Sequence, residues 1–319
     1  MNFGKILIFR KNIKGENFKQ TSSSWQLEKK IGSIYVKFDR SAGRTLFGNA
    51  AGLVHNISGN KSKKKYGNSI NSAQNSEDNS KFEANGYFYL DKADLSLINE
   101  INSKFQKMIE DDQYSVPVNK PTVSGTKDEK RHVYIRKLRN PPKDIPEIKK
   151  LFTKDLVKRL EGCIGGNFSV EGIQCWRNYH VPPEYERTND LFSNLWHCDY
   201  ADTDYTKLFF YLMDVTENEG PIHMVSPKRT KELIKDGYTD RYQYDLNKKL
   251  FSDEKDIFKG TGSIGTTLLV NTEICLHKAG NPTLNHYRDT IQLLFKPSPK
   301  SFSDDWTDSI DFTSTISKN

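Results

Sequence analysis

The chain has 319 residues, 28% of them charged and 35% hydrophobic, with a formal net charge of +7. It is long enough to bury a substantial core as one elaborated domain, and no apolar run approaches the roughly 20 residues that a membrane-crossing helix needs. The positive excess is spread over dispersed lysines without a basic helix or RNA-binding signature, which argues against a nucleic-acid partner.

Residues 1–55 read as an N-terminal extension to which no role can be assigned. Arg10 and Lys11 interrupt its opening apolar stretch too early for a secretory signal, so the protein is expected to be cytoplasmic. Within it, SIYVKF (33–38) has strand character and GRTLFGNAAGLVH (43–55) reads as a Gly-rich loop. Residues 56–81 hold almost no large apolar side chains and cannot offset the entropy of ordering, which predicts a low-complexity linker or long loop. The KSKKK run inside it reads as a solvated charge cluster. A domain is expected over 82–300, followed by a C-terminal tail at 301–319. Cys163, Cys175, Cys198 and Cys275 have no CxxC pairing, so they read as free buried thiols rather than disulfides or zinc ligands.

Leu95, Ile98, Ile101, Phe105, Met108 and Ile109 recur at helical spacing and predict an amphipathic helix over 92–111, with Asp91 or Asp94 as its N-cap. A second helix is expected over 145–161. Its apolar stripe is Ile145, Ile148, Phe152, Leu156 and Leu160, with Asp144 and Glu147 as a capping pair and Gly162, Gly165 and Gly166 as the stop. Short strand-like segments follow: VEGIQCWRNYH, KLFFYLMDV, PIHMVS, GTTLLVN, ICLHKAG and DTIQLLF. Helices followed by a run of short strands indicate an α+β protein whose strands form a sandwich or jelly roll.

Among these strands lies NLWHCDYADTD (194–204). If it is extended, His197 and Asp199 point to one side and Trp196 and Cys198 to the other. A nitrogen ligand and an anionic oxygen ligand then share a face, and a second histidine would complete a two-His-one-carboxylate triad of the kind that holds Fe(II) with positions left open. His277 is the candidate. His286 is its rival, disfavoured because it stands only two residues before Arg288. His180 and His223 fall within or beside the strand region as supporting or core residues, and His55 and His132 lie outside it. Arg288, Thr290 and Gln292 form an inward polar row on a strand whose other face is Ile291, Leu293 and Phe295. Such a row is costly to bury unless an anion meets it, and a guanidinium beside a hydroxyl suits a carboxylate. The alternative for HxD alone is a hydrogen-bonded Asp–His pair.

The stretch from 83 to 297 resembles the phytanoyl-CoA dioxygenase family of Fe(II)/2-oxoglutarate oxygenases in EANGYFYLDKADLSLINEI, WHCDY, ENEGPIHMV and GTTLLVNTEICLHKAGNP followed by YRDTIQLLF. The resemblance implies a double-stranded β-helix (jelly roll) core with flanking helices packed on one sheet. It implies iron ligation by His197, Asp199 and His277, with Arg288 and Thr290 on the far carboxylate of 2-oxoglutarate. Gln174 and Asn178, which share a strand face with Trp176, would lie near that cosubstrate; otherwise they satisfy backbone groups. The implied activity is O2-dependent hydroxylation of a small-molecule metabolite with release of succinate and CO2. A catalytically silent jelly-roll binding or accessory protein is the alternative. The chain departs from the family at SPKRT (226–230) and in a long insertion at 231–260, whose Tyr238, Tyr242 and Tyr244 read as part of a lid or a surface excursion. Trp196, Tyr200 and Tyr205 read as packing around the site. Substrate identity and oligomeric state are not encoded in these motifs.

Overall fold

The structure, a computed structural model, describes residues 76–118, 134–182, 193–199, 206–238, 249, 251, 254–298 and 302. The segments 33–38 and 43–55, the lysine run, His55, His132, Tyr200, Tyr205, Tyr242 and Tyr244 lie outside the described residues.

The first described element is helix α1, Ser76–Asn85. It begins inside the segment read as a linker, so residues 76–81 are helical rather than loop. Phe82 is buried in the core, Asn79 Nδ2 donates to Cys163 O at 2.7 Å and Arg159 Nε meets Asp78 Oδ2 at 2.7 Å, contacts made with residues far along the chain that composition alone does not reveal. Gly86 then turns the chain with φ +77, and a Cβ there would stand 2.1 Å from Cys275 Sγ, so both conformation and space require glycine.

Strand β1 (Tyr87–Leu90) leads to helix α2 (Leu95–Met108), whose N-cap is Asp94, accepting from Leu97 N at 2.9 Å. The expected helix over 92–111 is present, three residues shorter at each end. Ile98, Ile101, Phe105 and Ile109 are fully buried at its predicted spacing. Each contributes roughly 1.5–3 kcal/mol by burial.

After β2 (Ser115–Val118) and β3 (Ile135–Leu138) comes the short helix α3 (Pro141–Asp144), and the single helix expected over 145–161 is replaced by two pieces, a 3-10 segment (Pro146–Leu151) and α4 (Lys154–Ile164). Ile145, at φ −131 and ψ 75, precedes Pro146, and a residue before proline is pushed out of the helical region. Asp144 and Glu147 do not form a capping pair. Glu147 pairs with Lys104 of α2 at 2.6 Å, and Thr153 caps α4 by accepting from Leu156 N at 3.2 Å. The C-cap is Gly165 in the left-handed conformation, as the glycine stop requires.

The strands β4 (Phe168–Tyr179), β5 (Thr206–Tyr211), β6 (Ile222–Met224), β7 (Phe258–Lys259), β8 (Thr267–Val270), β9 (His277–Ala279) and β10 (Tyr287–Pro297) complete an antiparallel architecture. The seven-stranded sheet has the order β1-β8-β5-β10-β4-β3-β2, and the three-stranded sheet β7-β6-β9. Pro117 is tolerated because β2 lies at the edge of its sheet.

One face of the large sheet, with Ile173, Cys175, Leu208, Phe210, Ile291, Leu293 and Phe295, is covered by α2 and α4. Phe302, from the predicted tail, stacks on Phe152 at this layer's margin, with ring centroids 5.1 Å apart. The opposite face meets the small sheet through Phe209, Tyr211, Leu268 and Val270 on one side and Ile222 and Met224 on the other. β8 is therefore buried on both faces and reads as a continuous apolar run. All four cysteines are buried and free.

Candidate active site

The inner face of the large sheet carries the polar row. β10 and β4 pair so that Arg288 stands opposite Asn178, Thr290 opposite Trp176 and Gln292 opposite Gln174. Opposed residues in an antiparallel pair project to the same face, so two alternating patterns in the sequence merge into one polar ladder. Trp176 Nε1 donates to Thr290 Oγ1 at 2.7 Å, and Arg288 Nη2 donates to Asn178 Oδ1 at 3.4 Å. Gln174 Oε1 lies 3.5 Å from Lys137 Nζ. Arg288 is 6% exposed, and its Nη1 is buried without a hydrogen-bond partner. Burial lowers its pKa, with Tyr211 opposing. A buried donor left open on a guanidinium is costly unless an acceptor arrives.

His197 is not in a regular strand. It makes one bridge to His277 of β9, with His197 N donating to His277 O at 2.9 Å and His277 N to His197 O at 2.8 Å. The expected separation of sides survives without the strand: Trp196 and Cys198 pack outward with Val225, Leu233, Tyr238 and Leu276, while His197 and Asp199 point inward. Trp196 stacks on Phe251 with centroids 4.1 Å apart, and Tyr238 donates to the Trp196 carbonyl. Tyr238 therefore braces the metal-candidate segment from behind.

His197 Nδ1 lies 2.7 Å from Leu195 O and His277 Nδ1 3.1 Å from Cys275 O. A carbonyl only accepts, so both Nδ1 atoms carry a proton, which leaves Nε2 as the nitrogen each ring can offer to a metal. Those Nε2 atoms face Asp199: His197 Nε2 is 3.5 Å from Oδ1 and His277 Nε2 3.8 Å from Oδ2. The ligand atoms of the three residues lie within 4.8 Å of one another, a group that can hold a metal ion. Burial, with the His197 ring beside it, holds His277 well below the usual histidine range, so it is in the neutral form a metal requires. Burial pushes the Asp199 carboxyl up, but the Lys207 ammonium together with the His277 and His197 rings outweighs it and holds Asp199 well below the usual carboxylate range.

His286 stands apart, 2.7 Å from Glu219 Oε1, and His180 binds the Pro282 carbonyl. His223 lies on β6 in register with Lys259 and Lys278. At SPKRT, Ser226 caps helix α5 (Pro227–Lys235) by accepting from Arg229 N. Thr230 Oγ1 accepts from Leu276 N at 2.9 Å, so the divergent segment supports the residue before His277. Sequence reasoning missed Lys207 and Lys137. Alternation in TKLFFY places Lys207 with Phe209 and Tyr211 facing inward, the same signal that marked Arg288.

No protein-family model matches the chain, and no curated protein matches it. Among solved structures it is similar to AviO1 from Streptomyces viridochromogenes Tue57, with 15% identity, a TM-score of 0.48, and coverage of 73% of this chain and 98% of that one. It is similar to the epimerase SnoN in complex with Fe3+, alpha ketoglutarate and nogalamycin RO, with 11% identity, TM-score 0.47, and coverage of 70% and 84%. A third is EctD from S. alaskensis with 2-oxoglutarate and 5-hydroxyectoine, at 14% identity, TM-score 0.49, and coverage of 72% and 78%. Among the described residues no helix is long and apolar enough to cross a membrane.

Proposed function

We propose that the protein is an Fe(II)/2-oxoglutarate-dependent dioxygenase of the phytanoyl-CoA dioxygenase type, built on a jelly-roll core, that hydroxylates a small-molecule metabolite. One observation carries this reading. A His–Asp–His group and a buried guanidinium with an open donor lie on facing walls of one interior, linked by the Lys207–Asp199 ion pair.

The residues fit both groups. His197, Asp199 and His277 would hold the iron, two neutral imidazoles and one carboxylate leaving positions open. Arg288 would take the far carboxylate of 2-oxoglutarate through Nη1, its unpartnered donor. Thr290 accepts from the Trp176 indole, so its own hydroxyl proton is directed elsewhere and can reach the same carboxylate. Asn178 steadies the guanidinium. Gln174, beside Lys137, would lie near the same cosubstrate. When bound, the iron with 2-oxoglutarate and O2 supplies a two-electron oxidation that places one oxygen atom in a substrate C–H bond and the other in succinate, with loss of CO2. The apolar walls formed by Phe209, Tyr211, Leu268 and Val270 exclude water. Asp199 fills the carboxylate position with an oxygen ligand, which favours hydroxylation over halide transfer.

The test is anaerobic loading with Fe(II) and 2-oxoglutarate, followed by exposure to O2 and counting of succinate. Succinate above a His277→Ala control supports the reading. Absence of succinate together with absence of 2-oxoglutarate binding leaves the silent binding protein.

A further inference from the structure

Lys207 enters the site from β5, opposite Val270 of β8 and Leu294 of β10. Val270 belongs to the inner apolar wall, so Lys207 projects into the same interior. Among the described residues, the group its ammonium meets is Asp199 Oδ2. That contact makes the two oxygens of one carboxylate unequal. Asp199 spans the two rings, with Oδ1 3.5 Å from His197 Nε2 and Oδ2 3.8 Å from His277 Nε2, so both oxygens lie within reach of an ion held between the rings. Lys207 occupies one of them. The Asp199 backbone is fixed as well, its N–H donating to Thr272 O at 2.9 Å.

The lysine has nowhere else to carry its charge. Its side chain is 18% exposed and rises from a strand paired on both sides. Withdrawing it from Asp199 would leave an ammonium unpaired in the interior, which is costly. A carboxylate has lone pairs on both oxygens and can serve two cations, one on each. We infer, on the basis of the metal-binding part of the reading above, that Lys207 is a positioning residue: by holding Oδ2 it makes Asp199 present Oδ1 alone to the metal. Chelation through both oxygens would take up a further position on the ion. Lys207 keeps that position open, and its positive charge loosens the grip on the ion.

The experiment uses the full chain with Mn(II) alone as the probe. Affinity is read from the EPR signal of free Mn(II), and metal-bound waters are counted by pulsed EPR in D2O. The wild-type protein is expected to keep one metal-bound water for each ligating side chain. Lys207→Met frees Oδ2, so it should lose one of these waters and bind Mn(II) about tenfold more tightly. Lys207→Arg keeps the charge and a donor and should retain the wild-type waters. A lysine that serves only the fold would leave the water count of the loaded protein unchanged in every variant. The inference is overturned if the wild-type protein already holds fewer waters, if Lys207→Met keeps the wild-type count, or if Lys207→Arg loses a water as Lys207→Met does. Should Lys207→Met fail to fold, the wild-type count decides. Mn(II) bound with the expected waters, but without 2-oxoglutarate binding on its addition, removes the oxygenase reading and leaves this inference standing. Failure of the wild-type protein to bind Mn(II) removes both.

Discussion

Lys207 donates to Asp199 Oδ2, the same carboxylate oxygen that stands 3.8 Å from His277 Nε2. Without metal, the lysine supplies the charge that compensates this largely buried carboxylate. Lys207→Met is expected to destabilise the metal-free protein by about 1–3 kcal/mol. A divalent ion replaces the missing charge, so the gap in melting temperature between metal-free and metal-loaded protein should widen. Paired thermal melts with and without Fe(II) or Zn(II) check this; an unchanged gap contradicts it.

Arg288 is buried with Nη1 unpartnered. Replacing an uncompensated buried charge by an apolar chain of similar length relieves its desolvation, so Arg288→Met should raise ligand-free stability by about 1–3 kcal/mol. The same change should weaken 2-oxoglutarate binding by about 100-fold or more. Denaturant titration and calorimetry on one variant read opposite signs.

Thr290 accepts from the Trp176 indole at 2.7 Å on a strand where Thr290 is 1% exposed. Thr290→Val leaves that N–H buried without a partner, at a cost of about 1–3 kcal/mol. It also removes a donor to the proposed cosubstrate, and Thr290→Ser should restore both stability and affinity. Restoration of stability alone would separate the structural part from the binding part.

On the outer face of the same strands, Asp289 is fully buried, opposite Arg177 in register, and receives Arg177 Nη2 at 2.7 Å and Gln106 Nε2 of α2 at 2.7 Å. Breaking this pair leaves the buried Arg177 guanidinium with the exposed Glu110 carboxylate, 3.0 Å from Nη1, as its remaining charge partner. Asp289→Asn should cost about 3–5 kcal/mol while leaving metal affinity within experimental error, measured by denaturation and metal titration at a temperature where the variant is folded.

Burial, reinforced by Lys278, Lys259 and Arg288, lowers His223 to about 3. Its folded pKa thus lies below the ordinary 6.5, and the unfolded chain binds the extra proton first. The His223 contribution is complete above pH 6.5 and is lost as pH falls toward 3. Since His223 is partly exposed, the loss at pH 5 relative to pH 7 is roughly 1–2 kcal/mol. His223→Gln should flatten this acid limb in urea titrations at the two pH values.

Much of the site was legible because burial leaves a trace in alternation. Arg288, Thr290 and Gln292 stand out against Ile291, Leu293 and Phe295, and His197 and Asp199 keep their common side even though a single bridge replaces the strand. The pairing of β10 with β4 joins residues more than a hundred positions apart, and no local pattern encodes that register. Lys207 and Lys137 escaped notice because a single lysine in a short strand also fits an outward face. The break at Ile145–Thr153 was hidden by an apolar stripe that continues through it, although Pro146 marked the place. The start of α1 at Ser76 was hidden by composition: its small polar residues are ordered by Cys163 and Arg159, eighty residues away.

His197 and His277 are 80 positions apart, with 277 − 197 = 80, and they touch through one reciprocal pair of backbone hydrogen bonds. An ion gripped by both rings would therefore act as a removable cross-link closing a long loop of the unfolded chain, an effect of about 4–5 kcal/mol on the chain-entropy model used for disulfides. Metal supply would then govern how long the polypeptide survives: chelated protein should fall to proteases within the 198–276 segment well before the loaded form does.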